Sequence, residues 1–148
     1  MEVTEKLFVS DKDFFNMLEQ SLIYDIKEST GKDVNVSQVN KGFSYKKNMK
    51  NKFGQKSDVK VTICEFTPYK QYKASFENST GTTNIDYRIE PIDDNSINVS
   101  YSEEFDSPSK SKSLNQKIME ALLFNRKAKK HAVRLLHGME NYIQNNNK

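Results

Sequence analysis

NIDYRIEPIDDNSINVSYSEEF, residues 84–105, decides the fold class. Ile85, Tyr87 and Ile89 alternate with Asp86, Arg88 and Glu90. Pro91 and the run Asp93-Asp94-Asn95-Ser96 mark a turn, after which Ile97, Val99 and Tyr101 resume the alternation as far as Phe105. Successive side chains of an extended chain point to opposite faces, so a period of two describes strands that are apolar on one face and wet on the other. Joined by a short turn, the two strands pair as an antiparallel hairpin.

The same rhythm continues upstream. Tyr72, Ala74 and Phe76 form a strand that ends at Asn78-Ser79-Thr80-Gly81, and Val59, Val61 and Ile63 alternate with Lys60, Thr62 and Cys64 until Pro68 breaks the run. Phe43 and Tyr45 begin another strand, and KKNMKNKFGQKSD (46–58) reads as a long basic connection.

At both ends the period changes. VTEKLFVS (3–10) is a short strand. Ser10 followed by Asp13 then reads as a helix N-cap with an acid at the third helical position. Phe14, Leu18, Leu22 and Ile26 fall at helical spacing, broadened by Phe15 and Met17, and Thr30-Gly31 stops the helix. KDVNVSQVNKG (32–42) is a turn or a short second helix. After DSPSKSKS (106–113) a final helix is expected from near Ser113 to about Tyr142, with Leu114, Ile118, Ala121, Leu122, Ala128, Ala132, Leu135, Leu136, Met139 and Ile143 on one face. Such a helix, about 45 Å long, must lie across the sheet. The expected class is α+β: a curved antiparallel sheet wrapped around a long C-terminal helix, one domain over 1–143 with a frayed tail at 144–148.

Composition agrees with one domain. The 148 residues hold nine Phe and seven Tyr as core material, with few Gly and Pro. Net charge is unevenly placed. Residues 1–108 carry 14 Lys/Arg against 18 Asp/Glu, a balance of −4, and residues 109–148 carry 9 against 2, a balance of +7. The N-terminus lacks a basic stretch followed by an apolar run, and no segment approaches the roughly 18 apolar residues of a spanning helix. The expected location is cytoplasmic. Cys64, the lone cysteine, cannot form an internal disulfide.

The order strand, helix, antiparallel strands, long helix is similar to the helix-grip fold, also called START-like or SRPBCC, over residues 1–143. The amino-terminal strand and helix with YDIKESTGK (24–32), GFSYKK (42–47) and NRKAKKHAVRLL (125–136) more closely resemble a small family of uncharacterised bacterial proteins, domain of unknown function 3284. The resemblance implies a fold, and in the wider superfamily a pocket between sheet and last helix for apolar or amphipathic ligands. It implies no established activity.

Most chemistries lack their residues. His131 and His137 are six apart and point about 120° from each other on a helix, so they cannot share an ion. Cys64 has no nearby Cys or His, and no structural zinc spacing occurs. FGQKSD and STGTT lack the pattern of a phosphate loop. Neither a metal nor a cofactor is expected, and no catalytic set stands out. Of Glu103 and Glu104 at most one reaches the interior; Glu103 keeps phase with the apolar side of its strand, a position that is more often the open rim of a sheet than a buried acid.

Two features remain. In FNRKAKKHAVR (124–134), Arg126, Lys127, Lys130 and Arg134 fall within about 100° on a helix, opposite the apolar stripe. Charge runs are usually solvated faces, and a weak contact with anions or a membrane surface is the most this one offers. No motif for sequence-specific nucleic-acid binding is present. The inward tyrosines are more suggestive, since an apolar ring with a hydroxyl tip suits a cavity wall. The expected ligand-binding set is Tyr45, Val61, Phe76, Tyr87, Val99 and Tyr101 on the sheet, facing Ala121, Leu122 and Leu135 on the helix. The leading expectation is a non-catalytic module for a small apolar or amphipathic ligand. A regulatory interaction domain with a filled core and basic docking face is the alternative, and an enzyme of the polyketide-cyclase-like type the third reading.

Overall fold

The structure, a computed structural model, describes residues 1–50, 54, 56–106 and 114–147, the last helix by its backbone alone as far as residue 124. Six strands form one antiparallel sheet: β1 (Glu2–Leu7), β2 (Ser44–Lys50), β3 (Lys56–Thr67), β4 (Gln71–Asn78), β5 (Gly81–Asp93) and β6 (Ser96–Asp106). Their order is β1-β6-β5-β4-β3-β2, so consecutive hairpins build the sheet and β1 closes it on the far side. Two helices, α1 (Asp11–Thr30) and α2 (Leu114–Asn146), lie on its inner face with a single 3-10 turn at Val36–Gln38. This is the helix-grip architecture.

Alternation fixes which face is inner. Val59, Val61, Ile63, Tyr72, Ala74, Tyr87, Ile89, Ile97, Val99 and Tyr101 are all buried. The register shift at Cys64, between Ile63 and Glu65, inserts one residue and returns Phe66 to the inner side opposite Tyr72. A bulge of this kind sharpens the local twist and helps the sheet curl.

Three local expectations are corrected. Residues 46–58 are not a long connection: β2 and β3 pair from Ser44↔Thr62 to Lys50↔Lys56, and charged side chains alternate on the exposed face of that hairpin. Pro91 does not end a strand, because β5 runs to Asp93. Pairing with β4 stops at Arg88, so Pro91 sits where β5 has only β6 as neighbour and a missing N–H breaks no ladder bond. Residues 144–147 are no frayed end either. The helix continues to Asn146, Gln144 donates to the Phe8 carbonyl at 3.0 Å and Asn147 to Asp13 at 3.0 Å.

The helices dock as their spacing requires. Ser10 caps α1 by accepting the Asp13 N–H, and Gly31 ends it at φ 76° with its own N–H on the Lys27 carbonyl. Phe14, Phe15, Leu18, Leu22 and Ile26 face the sheet, with Phe14 against Tyr87 and Phe15 against Phe66. Full burial of each such ring contributes about 1.5–3 kcal/mol. The last turns of α2 bury Ala132, Leu136, Met139 and Ile143 and are tied to the edge strand β1. Glu140, itself buried, accepts the Phe8 N–H at 2.6 Å, and His137 bridges Glu140 at 2.9 Å and Glu5 at 3.3 Å.

Candidate functional site

On the inner face the tyrosines meet one another. Tyr72 pairs with Tyr87 and Tyr87 with Tyr101 across neighbouring strands, with ring centroids 6.0 and 4.8 Å apart. Phe14 of α1 closes on Tyr87 at 6.3 Å. The rings of Tyr72, Tyr87 and Tyr101 thus pack side by side along the middle of the sheet face. Burial pushes the Tyr87 hydroxyl up to about 12, with the Glu103 carboxylate adding to the effect. Burial, then Tyr87 and Glu103, raise Tyr101 as well, and its hydroxyl donates to Glu103 at 3.1 Å. Both hydroxyls hold their protons at neutral pH, and Tyr101 uses its own to donate to Glu103.

Tyr45 belongs to a different cluster. Its hydroxyl donates to Asp25 of α1 at 2.6 Å, and Lys47, on the same side of β2, reaches both Asp25 oxygens at 3.0 Å. Burial first, and then the bond to Asp25, raises the Tyr45 hydroxyl far above the ordinary tyrosine value.

Asp25 also stands at one end of a groove between the two helices. α1 and α2 pass antiparallel, Asn147 meeting Asp13 at one end and Asp25 sharing the groove with Leu135 at the other. The groove is open to solvent and has a volume of about 930 Å³. Met17, Met139 and Ile143 supply apolar surface, and the exposed rings of Tyr24 and Tyr142 line it together with Asn16, Gln20 and Ser21. Each helix presents these residues at steps of three and four, the spacing that puts side chains on one face.

Gly138 lies within that lining, in the interior of α2. A glycine there costs about 1 kcal/mol relative to alanine. Nothing in the packing calls for it: a Cβ at this position would meet no atom within 4 Å, and the residue has no left-handed backbone angle. The space beside it is open.

The sequence matches the family described as a domain of unknown function, number 3284, over residues 1–124. The chain belongs to that family. The match ends before NRKAKKHAVRLL, so the basic run lies beyond the matched residues. No curated protein matches the sequence at a significant level. Among solved structures the chain is similar to the aromatase/cyclase Zhui of a Streptomyces species, with TM-score 0.65 and 13% identity over 100% of this chain and 94% of that one. It is also similar to a protein of unknown function from Staphylococcus aureus, with TM-score 0.62 and 10% identity over 97% and 92% of the chains. The protein titled Ara h 8.0201 matches with TM-score 0.61 and 13% identity over 98% and 97%. At such identities the likeness concerns the fold.

In this member of the domain 3284 family the expected lining residues fall into three groups. Tyr45, Val61, Tyr87, Val99 and Tyr101 are buried on the inner sheet face, and Phe76 is half-buried beside Val61. Leu135, 38% exposed, lines the interhelical groove instead. Ala121 and Leu122 lie outside the residues whose side chains are described. Tyr24, Gly138 and Tyr142 were not singled out by the sequence, although a mid-helix glycine and two helical tyrosines beside an apolar stripe are visible there. Arg126, Lys127, Lys130 and Arg134 are all exposed on α2. Among the described residues no His, Cys, Asp and Glu cluster could hold a metal ion, and no helix is long and apolar enough to cross a membrane.

Proposed function

We propose that this protein is a binding module for a small apolar or amphipathic molecule, held against the C-terminal helix in the groove between α1 and α2. Gly138 carries the reading: a helix interior keeps a destabilising residue whose only visible consequence is free space in that groove. A volume of about 930 Å³ is within the usual range for small-molecule sites, and apolar surface with a few polar groups is their usual chemistry. Asp25 links the groove to Tyr45, one of the expected lining residues on the sheet. Tyr87, Val99 and Tyr101 then belong to the wall behind the site.

The exposed side chains of Arg126, Lys127, Lys130 and Arg134 favour a second reading, an interaction domain that uses its basic helix to meet anionic partners or a membrane surface. Ring contacts of 4.8 and 6.0 Å make the tyrosine row one continuous patch of the sheet face. The cyclase title of one structural neighbour supports an enzymatic reading less, because Tyr101 and Glu103 are bonded to each other in the wall.

Native mass spectrometry of protein purified without detergent tests the choice. A small molecule retained by the wild type and missing from Gly138→Trp supports the groove. Absence of any retained molecule, together with no thermal shift across fatty acids, sterols, flavonoid-like rings and isoprenoids, favours the interaction domain.

A further inference from the structure

Charge in the groove narrows the ligand. Among the described residues no Lys, Arg or His lines the groove. The ionisable carboxyl groups there are Asp13 and Asp25. Lys47 sits against Asp25 and offsets its charge. Asp13 forms no ion pair among the described residues; its side chain accepts one hydrogen bond, from the neutral amide of Asn147. Along α1 the two carboxylates are separated by about 18 Å of helix, with the apolar surface of Met17 and Met139 and the rings of Tyr24 and Tyr142 between them.

A ligand carboxylate or phosphate at the Asp13 end would find no cation among the described lining residues and would face Asp13. An ammonium group at the Asp13 end would find a carboxylate and the neighbouring side-chain amides of Asn16, Asn146 and Asn147. We infer that the groove takes an amphipathic organic cation, an ammonium head at the Asp13 end with an extended apolar body over the two methionines. This rests on the groove being the binding site, as proposed above.

Three ten-carbon probes that differ only in the head group separate the two claims: decylamine, decanol and decanoate, each titrated below its micellar concentration and followed by calorimetry. Decylamine should bind at least tenfold more tightly than decanoate at low salt, with decanol between them. Asp13→Asn, which keeps an acceptor for Asn147, should reduce that ratio to near unity, and Asp94→Asn on the β5–β6 turn should leave it unchanged. Gly138→Trp should remove binding of all three. Equal affinities, a preference for decanoate, or a decylamine preference that survives Asp13→Asn overturns the cation assignment while leaving the groove as a site. Failure of all three probes to bind overturns the groove itself. A dimer in sedimentation that dissociates in Gly138→Trp would show that a second copy of the chain occupies the groove, and would overturn both.

Discussion

The Tyr45 hydroxyl donates to Asp25 at 2.6 Å, and this bond joins the inner face of β2 to the helix that walls the groove. Because Asp25 is partly exposed and keeps Lys47 as a partner, losing the hydroxyl costs less than losing a fully buried charged bond. Tyr45→Phe should therefore lower stability by about 1–2 kcal/mol. Asp25→Ala should cost more, since it leaves the Tyr45 hydroxyl with no acceptor and Lys47 with no carboxylate. Urea unfolding of both variants checks the order, and an unchanged Tyr45→Phe midpoint would contradict it.

His137 makes stability depend on pH. The bond to Glu140 first, and then the bond to Glu5, raises its pKa above the ordinary 6.5, against an opposing effect of burial. A raised folded value means that the stabilisation is complete below about pH 6.5 and disappears as pH rises through the folded pKa. Urea midpoints should fall between pH 6 and pH 8.5, and His137→Gln should flatten that slope. The ring is substantially exposed, so the effect is modest. A midpoint that rises over this range would show that the imidazolium is not what holds α2 to β1.

Gly138→Ala should raise stability by up to about 1 kcal/mol, because alanine is the better helix former and its methyl group meets no neighbour. The same change should weaken ligand binding, since the methyl occupies the groove. Thermal unfolding and calorimetry on one preparation read both effects. A destabilised Gly138→Ala would mean that the space beside this residue is filled in solution.

The fold was legible because each element carries its period openly: two along β3 to β6, near 3.6 in both helices, with Ser10 and Gly31 as caps. Pro91 and residues 46–58 misled for a local reason. A proline or a lysine run signals a loop unless the neighbouring strand is known, and strand neighbours are a tertiary fact. The site was less legible. Inward phase identified Tyr45, Tyr87 and Tyr101, but phase cannot tell whether an inward ring lines a space or fills it. Here Phe14 of α1 closes on Tyr87, and a groove lies where the helices face each other. His137 has Glu140 three residues on along its own helix, but its second partner, the β1 residue Glu5, meets it only when α2 docks.

Replacing Arg126, Lys127, Lys130 and Arg134 together by Gln should scarcely change the melting temperature, as exposed charges contribute little to stability. Any binding to heparin or to vesicles containing anionic lipid should weaken in this variant, and in the wild type should fall as salt is raised. Sequence-selective nucleic-acid binding that survives moderate salt would give this face a larger role than its exposure suggests.

Backbone amide chemical shifts, followed while decanol is titrated into the protein, test the location of the site most directly. The groove account predicts that the largest changes fall on Gln20, Tyr24, Gly138 and Tyr142, and that they vanish in Gly138→Trp. Changes confined to Tyr87, Val99 and Tyr101, or no changes at all, would contradict it.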